Sequence, residues 1–364
     1  MKLVFACGGT GGHIFPALSV AEELKKRAPD TEIIYVCGTL DIEIEIFKAG
    51  VRKDVFAVES APFRGACSLL SAGFLLKLFR GFALALRFLR CEKPDAVVGF
   101  GGYFSFPVVA AAKLLGLRCL IHEQNVEPGV ANRLMNRWVD GVALSFAETA
   151  SRLGGSRKLR VTGNPIRPAI EKGPARSAAL SFFGFDADKK TLLIVGGSQG
   201  AESINTLFLA ALNFLSEPLR RSLQALHLCG RMDPREAEQK LREAGVLAKA
   251  FSFFDRMDLA YAVTDAALGR AGATFLAEIS AKEIPAVLIP YPFGSGHQLL
   301  NAEIFSRNHR ALVALQAEMT PEKLAGYLEK LLTERVPPKA TTGKTHARET
   351  LADFITEIAC GDKS

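Results

Sequence analysis

The chain has 364 residues, enough for two or three domains at about 150 residues each. Apolar residues make up 49% and charged residues 23%, ordinary globular proportions that exclude a disordered, collagen-like or coiled-coil chain. A net charge of +7 admits nucleic acid, anionic lipid or phosphorylated substrates as partners, and charge alone does not choose among them.

The seven cysteines are scattered and never spaced C-x-x-C, which predicts reduced thiols rather than a disulfide framework or a zinc site. Residues 3–21 and 96–112 carry no formal charge, but glycines with Pro16 and Pro107 break them. Neither an export signal nor a span of about 20 apolar residues is expected.

In chain order, strands are predicted over 2–6, 32–37, 54–58, 95–99, 118–122 and 141–145. Helical spacing falls over 16–27, 41–49, 69–90, 106–115 and 129–137. Near-continuous apolar strands separated by helices imply a parallel sheet covered on both faces. A proline-rich stretch, Asn164-Pro165-Ile166-Arg167-Pro168, then reads as a linker. The pattern restarts with strands over 191–195, 223–229, 266–269, 286–290 and 311–315 and a helix from about residue 201. The predicted fold class is therefore α/β, with two doubly wound Rossmann-like domains facing a cleft. Their spans are 1–163, 164–340 and a C-terminal helix over 341–364 for which the N-terminal domain is a packing surface.

Each half opens with a strand, a glycine-rich turn and a helix: Gly8-Gly9-Thr10-Gly11-Gly12 and Gly196-Gly197-Ser198-Gln199-Gly200. Such turns bring backbone N–H groups against a phosphate at the helix's positive end. Ile14 occupies the third glycine position of the dinucleotide fingerprint, and no G-x-x-x-x-G-K-[ST] occurs, which disfavours a nicotinamide enzyme and a P-loop ATPase. Pro16 is expected in a helix's first turn. His13 lies at the mouth of the first turn, with an ordinary pKa suited to a general base, although a histidine there can equally be structural. Glu278, on the helix after Arg270-Ala271-Gly272-Ala273-Thr274, is either a ribose ligand or a solvated charge, and His297-Gln298 carries the same ambiguity. Asp186-Ala187-Asp188, a pattern that some metal sites use, precedes a strand and reads as a solvated turn.

Over 69–90, Lys77, Arg80, Arg87 and Arg90 fall within about 140° of one helical face at about 100° per residue. Phe74, Leu75, Phe79 and Phe82 belong to an apolar belt wider than one sheet contact requires. The segment suits an anionic membrane surface, the alternative being a plain crossover helix.

Six motifs in order make the chain similar to the MurG-type UDP-N-acetylglucosamine transferases that convert lipid I to lipid II. They are Gly8 to Ala17, Gly101-Gly102-Tyr103-Phe104-Ser105, His122-Glu123-Gln124-Asn125, Gly163-Asn164-Pro165-Ile166-Arg167, Gly196 to Ala201, and Arg270 to Glu278. The resemblance implies a GT-B architecture and inverting transfer of GlcNAc from UDP-GlcNAc to the C4 hydroxyl of an undecaprenyl-diphosphate-linked MurNAc-pentapeptide. It assigns donor contacts to Thr10, Gly11, Gly12, Asn125, Arg167, Ser198, Phe254, Ala273, Thr274, Phe275, Leu276, Ala277, Glu278 and Gln298. It makes His13 the base and places Tyr103 and Glu123 on the acceptor side. UDP-GlcNAc is then a substrate, no cofactor or metal is expected, and nucleic acid is not a partner. The polyprenyl acceptor implies a peripheral position on the cytoplasmic face of the membrane, with cell-wall or division proteins as further partners. Phe106, Phe254 and Gly294-Ser295-Gly296 depart from the family's common residues. A relative acting on another lipid, a UDP-GlcNAc 2-epimerase and a non-catalytic lipid-binding protein remain alternatives at this point.

Overall fold

The computed structural model describes residues 1–9, 11–38, 55–58, 72–154, 158–197, 200–293, 296–334 and 346–361. The chain divides into two compact units, Met1–Arg167 with Thr345–Ser364, and Pro168–Lys344.

In the first unit the described elements are β1 (Lys2–Ala6), α1 (Gly11–Arg27), β2 (Glu32–Cys37), β3 (Val55–Ala57), α2 (Ala72–Glu92), β4 (Ala96–Gly99), α3 (Gly102–Leu114), β5 (Arg118–Glu123), α4 (Val130–Met135), β6 (Gly141–Leu144), α5 (Ala150–Leu153) and β7 (Leu159–Val161). The sheet is parallel throughout, in the order β3-β2-β1-β4-β5-β6-β7. Leu3 and Phe5 point to the face packed by Ile14, Val20 and Leu24 of α1. Val4 and Ala6, one residue out of phase, point to the face packed by Leu89 of α2 and Val108 and Val109 of α3. A strand buried on both faces has to read as an unbroken apolar run, which is why these strands were legible in the sequence.

The second unit contains α6 (Pro168–Lys172), α7 (Arg176–Phe183), β8 (Lys190–Val195), α8 (Glu202–Ala211), α9 (Glu217–Arg221), β9 (Leu223–Leu228), α10 (Pro234–Glu243), β10 (Leu247–Phe251), α11 (Met257–Val263), β11 (Ala266–Gly269), α12 (Ala273–Ala281), β12 (Ala286–Leu288), α13 (His297–Asn308), β13 (Ala311–Val313) and α14 (Pro321–Thr333). Its parallel sheet runs β10-β9-β8-β11-β12-β13. In both sheets the order reverses beside the first strand, at β1/β4 and at β8/β11. Doubly wound folds bind ligands outside the strand ends at such points.

The final helix, α15 (Ala347–Cys360), returns to the first unit. Leu351, Phe354, Ile355 and Ile358 join the core on the α1 face. A Cβ at Gly141 would lie 2.7 Å from the Phe354 ring, so the start of β6 is cut to admit that side chain. Arg160 stacks over the same ring at 4.3 Å, and Arg160 and Lys158 pair with Glu357.

Several sequence expectations need correction. The helices α1 and α3 start at Gly11 and Gly102, not at residues 16 and 106; Pro16 and Pro107 each stand sixth in their helix, so Pro16 is not in the first turn as expected. Two short strands, β7 and β10, escaped the sequence reading. Leu159 and Val161 of β7 are exposed, and β10 carries Lys249, so neither shows the apolar run of a central strand. The helix expected over 41–49 lies outside the described residues, and α2 begins at Ala72. Among the described residues the cysteines are free, with Cys7, Cys37, Cys119 and Cys229 buried. No described helix is long and apolar enough to cross a membrane.

Phe354→Ala should destabilise the first unit by about 3–5 kcal/mol, the usual cost of deleting a buried ring. Trp138, the chain's one tryptophan, lies in that unit and reports its unfolding in urea. An unchanged fluorescence midpoint would show that α15 is dispensable to the core.

Candidate active site

At the first switch point β1 leads through Gly8-Gly9 into α1, and β4 leads through Phe100-Gly101-Gly102 into α3. Gly101 and Gly102 have φ of 84° and 74°, a left-handed pair that turns the chain within two residues. His13 lies against them: a Cβ on Gly101 would sit 3.2 Å from the imidazole, too close for any side chain to be accommodated without a shift. The ring's Nδ1 is 2.9 Å from the Phe100 carbonyl and 3.2 Å from Gln124 Oε1. A carbonyl only accepts, so Nδ1 carries the proton and the neutral ring keeps its lone pair on Nε2.

Behind His13 lies a buried polar chain at the end of β5. Gln124 Nε2 donates to the Phe100 carbonyl at 2.7 Å and reaches His122 Nδ1 at 3.2 Å. His122 Nε2 is 3.2 Å from both the Gly163 carbonyl and Ser145 Oγ. Burial, with a smaller contribution from His13, pushes the His122 pKa down to about 4, so this ring is neutral at neutral pH.

Glu123, expected on the acceptor side, is a buried carboxylate. It is 2% exposed, and its carboxylate accepts from Asn125 N at 2.9 Å, Gly129 N at 2.9 Å and Asn132 Nδ2 at 2.8 Å. Burial raises its pKa while these bonds oppose the rise. Its work is to fold the loop over 124–129, where Asn125 is also held by Thr149 Oγ1 donating to its carbonyl at 3.0 Å. Tyr103 is half-buried with its ring 4.1 Å from Phe104, which in turn covers Gly9. Arg167 stacks at 4.3 Å on Phe15, and a Cβ on Gly11 would lie 2.8 Å from that same ring. Gly11, Gly12, His13, Asn125, Tyr103 and Arg167 are thus all positioned by the first unit, around or beside its switch point. Thr10 lies outside the described residues.

In the second unit β8 ends at Gly196-Gly197, and no side chain fits at Gly196, where a Cβ would stand 2.2 Å from Ala201 N. Ser198 lies outside the described residues. Beyond β11, α12 opens at Ala273 with Gly272 as its N-cap and no side-chain cap. The first N–H groups of such a helix, from Ala273, Thr274 and Phe275, have no intrahelical acceptor and favour an anion. Leu276 and Ala277 continue that helix to Glu278, which is 5% exposed and accepts from Tyr261 Oη at 2.7 Å. It is therefore not the solvated surface charge that its residue type suggests. Arg270 is also buried, donating to the carbonyls of Ile289 and Pro290, to Ser203 Oγ and to Gln316 Oε1. Burial lowers its pKa, since none of these partners is a carboxylate.

Gln298 Oε1 accepts from Tyr291 N at 2.9 Å, which turns its amide relative to α13. The neighbouring His297 has its pKa lowered by burial. Phe254 packs in an aromatic group, 4.7 Å from Phe251 and 5.5 Å from Phe183. A cavity of about 660 Å³ between α8 and α10 is lined by Gly200, Asn205, Arg231, Glu236 and Lys240, and none of the expected donor contacts lines it. Asp186-Ala187-Asp188 forms an exposed turn before β8, closed by Asp188 N donating to Asp186 Oδ1 at 2.9 Å, at the strand end opposite Gly196.

On α2, Lys77, Arg80, Arg87 and Arg90 are exposed together with Leu75 (52%), Leu76 (50%) and Phe79 (69%). Phe82, expected in the same belt, is partly buried and packs against the first unit's core with Leu86 and Phe88. The side chain of Phe74 lies outside the described residues.

The sequence reading passed over Phe100, His122 and Gln124 as site residues, although the last two stand in the His122-Glu123-Gln124-Asn125 run that follows a strand next to the Gly-Gly turn. Tyr261, 17 residues before Glu278, left no such signal.

Family models described as the glycosyltransferase family 28 N-terminal and C-terminal domains match residues 3–144 and 191–358. A UDP-N-acetylglucosamine–N-acetylmuramyl-(pentapeptide) pyrophosphoryl-undecaprenol N-acetylglucosamine transferase of Halothermothrix orenii is 40% identical, covering 99% of this chain and 100% of the relative. The crystal structure of MurG from Acinetobacter baumannii superposes with a TM-score of 0.73 at 28% identity, over 98% of this chain and 99% of that one. A putative UDP-N-acetylglucosamine 2-epimerase of Listeria monocytogenes shares the fold, with a TM-score of 0.69 over 98% and 96% of the two chains, but only 14% of its sequence. Identity of this order along the whole length separates the transferase from the epimerase alternative, and the chain belongs to the MurG family of glycosyltransferase family 28 enzymes.

Proposed function

We infer that this chain transfers N-acetylglucosamine from UDP-GlcNAc to the C4 hydroxyl of the MurNAc in undecaprenyl-pyrophosphoryl-MurNAc-pentapeptide, converting lipid I to lipid II with inversion. The observation that carries the reading is the hydrogen bond from His13 Nδ1 to the Phe100 carbonyl, which leaves the lone pair on Nε2. In this reading Nε2 takes the acceptor's C4 hydroxyl proton as the oxygen attacks the sugar's C1. The C1–O bond to the diphosphate breaks, and UDP departs with the electron pair.

Glu278 accepts the ribose hydroxyls, and the first turn of α12, over Ala273 to Ala277, faces the diphosphate. Arg167 and the Gly196–Gly200 turn with Ser198 meet the charge that grows on the leaving group. Thr10, Gly11 and Gly12 support the sugar and diphosphate, Asn125 and Gln298 bind the GlcNAc, and Phe254 borders the uracil. Tyr103 attends the acceptor. The transfer moves no electrons between redox states, so UDP-GlcNAc enters as a substrate and the chemistry requires no redox cofactor. Transfer of radiolabelled GlcNAc from UDP-GlcNAc to a lipid I analogue tests the reaction, and diacylglycerol in parallel tests the competing acceptor.

Glu278→Ala should weaken UDP binding by about 1–3 kcal/mol, the cost of losing a charge-assisted hydrogen bond. UDP affinity equal to wild type, measured by calorimetry, would remove Glu278 from the donor site. For His13→Ala the expected loss is roughly 10²–10⁴ in kcat with UDP affinity held within a few-fold. Weakened donor binding with kcat intact would instead make His13 a binding residue.

The exposed strip of α2 supports a peripheral position on the cytoplasmic face of an anionic membrane. Each basic residue near such a surface contributes about 1 kcal/mol. Changing Lys77, Arg80, Arg87 and Arg90 to Gln should release the protein from anionic vesicles, while turnover of a water-soluble short-chain acceptor persists. Equal sedimentation of wild type and variant with anionic vesicles at low salt would sink the membrane role.

A further inference from the structure

We propose that Gln124 is the positioning residue that fixes the tautomer and tilt of the His13 imidazole, and that it must be an uncharged amide to do so. The proposal rests on His13 being the base. Gln124 is 2% exposed, and both ends of its amide are engaged. Its Oε1 faces His13 Nδ1 at 3.2 Å, while its Nε2 serves the Phe100 carbonyl at 2.7 Å and His122 Nδ1 at 3.2 Å. The reverse orientation would set oxygen against oxygen at Phe100, so the amide has one allowed direction.

That direction propagates. His122 must present a lone pair on Nδ1 and hold its proton on Nε2, where the Gly163 carbonyl accepts it at 3.2 Å. Each donor in the chain from His13 to Gly163 meets an acceptor, and no member carries a charge when both rings are neutral. Gly101 closes the chain from above, since a Cβ there would lie 3.1 Å from Gln124 Oε1 and 3.2 Å from His13.

An uncharged orienting group has a chemical consequence. When His13 takes the acceptor's proton, the imidazolium still donates from Nδ1 to two dipoles, which stabilise it modestly. A carboxylate in the same place would bind the imidazolium far better and raise the pKa of the ring, leaving less free base at neutral pH. Glutamate at position 124 would also set an accepting oxygen, in place of the donating Nε2, against the Phe100 carbonyl and the His122 lone pair. Among the described residues, His122 on β5 acts on His13 electrostatically, Tyr103 on α3 directly follows Gly102, whose Cβ position lies 3.5 Å from the His13 ring, and Arg167 stacks over Phe15, two residues along α1 from His13.

The test uses the full chain, radiolabelled UDP-GlcNAc and a water-soluble lipid I analogue, with Gln124→Leu and Gln124→Glu each made in the wild-type and His13→Ala backgrounds. Gln124→Leu should lower kcat roughly 10- to 100-fold with the donor KM within a few-fold. Gln124→Glu should move the acidic limb of the kcat–pH profile upward by about one unit. In the His13→Ala background neither change should lower the residual rate further. Long-range ¹⁵N–¹H spectra of His13, which require folding but not turnover, should show protonated Nδ1 in wild type and a mixture of tautomers in Gln124→Leu. An unshifted profile for Gln124→Glu, an unchanged tautomer in Gln124→Leu, or losses that add to those of His13→Ala would overturn the proposal. If His13→Ala alone leaves kcat and its acidic limb intact, the base assignment fails as well, and that outcome is distinguishable from the others.

Discussion

The hydrogen bond between His13 Nδ1 and the Phe100 carbonyl, 2.9 Å long, joins the two strands at which the first sheet changes direction. Its donor follows β1 and its acceptor follows β4, and those strands pair in register from Leu3 with Ala96 to Ala6 with Gly99. A shift of one residue in that register would turn every side chain of β1 to the other face and carry the histidine away from its partner. The geometry of one imidazole is therefore held by the packing of an entire sheet, including the alternation of Leu3 and Phe5 against Val4 and Ala6. This kind of rigidity lets a buried carbonyl, weaker than a carboxylate as an orienting group, still set a tautomer.

Close approach of backbones is the second constraint, and it explains the glycines at both switch points. In the first unit the space above Gly101 is occupied by the His13 ring and Gln124. In the second unit Gly196 and Gly200 press against Ala201 and Gly230, with Cβ positions 2.2 and 2.6 Å from backbone atoms. The turns look alike in sequence but serve different purposes. One clears room for the His13 side chain, and the other compresses a loop ahead of a helix. Burial then separates the charged groups by role: Glu278 and Arg270 are held in the second unit by neutral hydrogen-bonding partners, while the basic residues of α2 stay in solvent.

Sequence patterning revealed what depends on period and on residue type. The central strands β1, β2, β4, β5 and β6 stood out because burial on both faces demands uninterrupted apolar runs. The edge strands β7 and β10 did not, because an edge tolerates Arg160 and Lys249. The helices α1 and α3 start five and four residues earlier than the spacing predicts, and at α1 Pro16 suggests the later start. The chain instead enters each helix from a glycine turn whose positive φ does the redirecting. His13 and Glu278 could be nominated from their places after predicted strands, but whether either was solvated depended on neighbours far along the chain. Glu123, expected on the acceptor side, has its carboxylate hydrogen-bonded within its own loop. A carboxylate's partners, here the N–H groups of residues two and six positions on, cannot be read from its type.

The return of α15 to the first unit, expected for the C-terminal helix, has its physical reason in residues that the helix's own pattern does not single out. Its apolar stripe of Leu351, Phe354, Ile355 and Ile358 says that a helix must bury one face, but not which sheet receives it. The choice is written in small residues elsewhere: Gly141 makes room for the Phe354 ring, and Gly163 lies against Ala347. Arg27, Lys158 and Arg160 then meet Asp353 and Glu357 around the rim. Most of these partners lie about 200 or more residues from α15, so the core that steadies β1 and α1, and through them His13, is completed by non-local contacts whose loop-closure entropy must be met before they stabilise anything. Part of the first unit's hydrophobic face is closed by residues that lie beyond 167 in the chain. The position of the proposed base thus depends on a helix that the chain supplies only after the whole of the second unit.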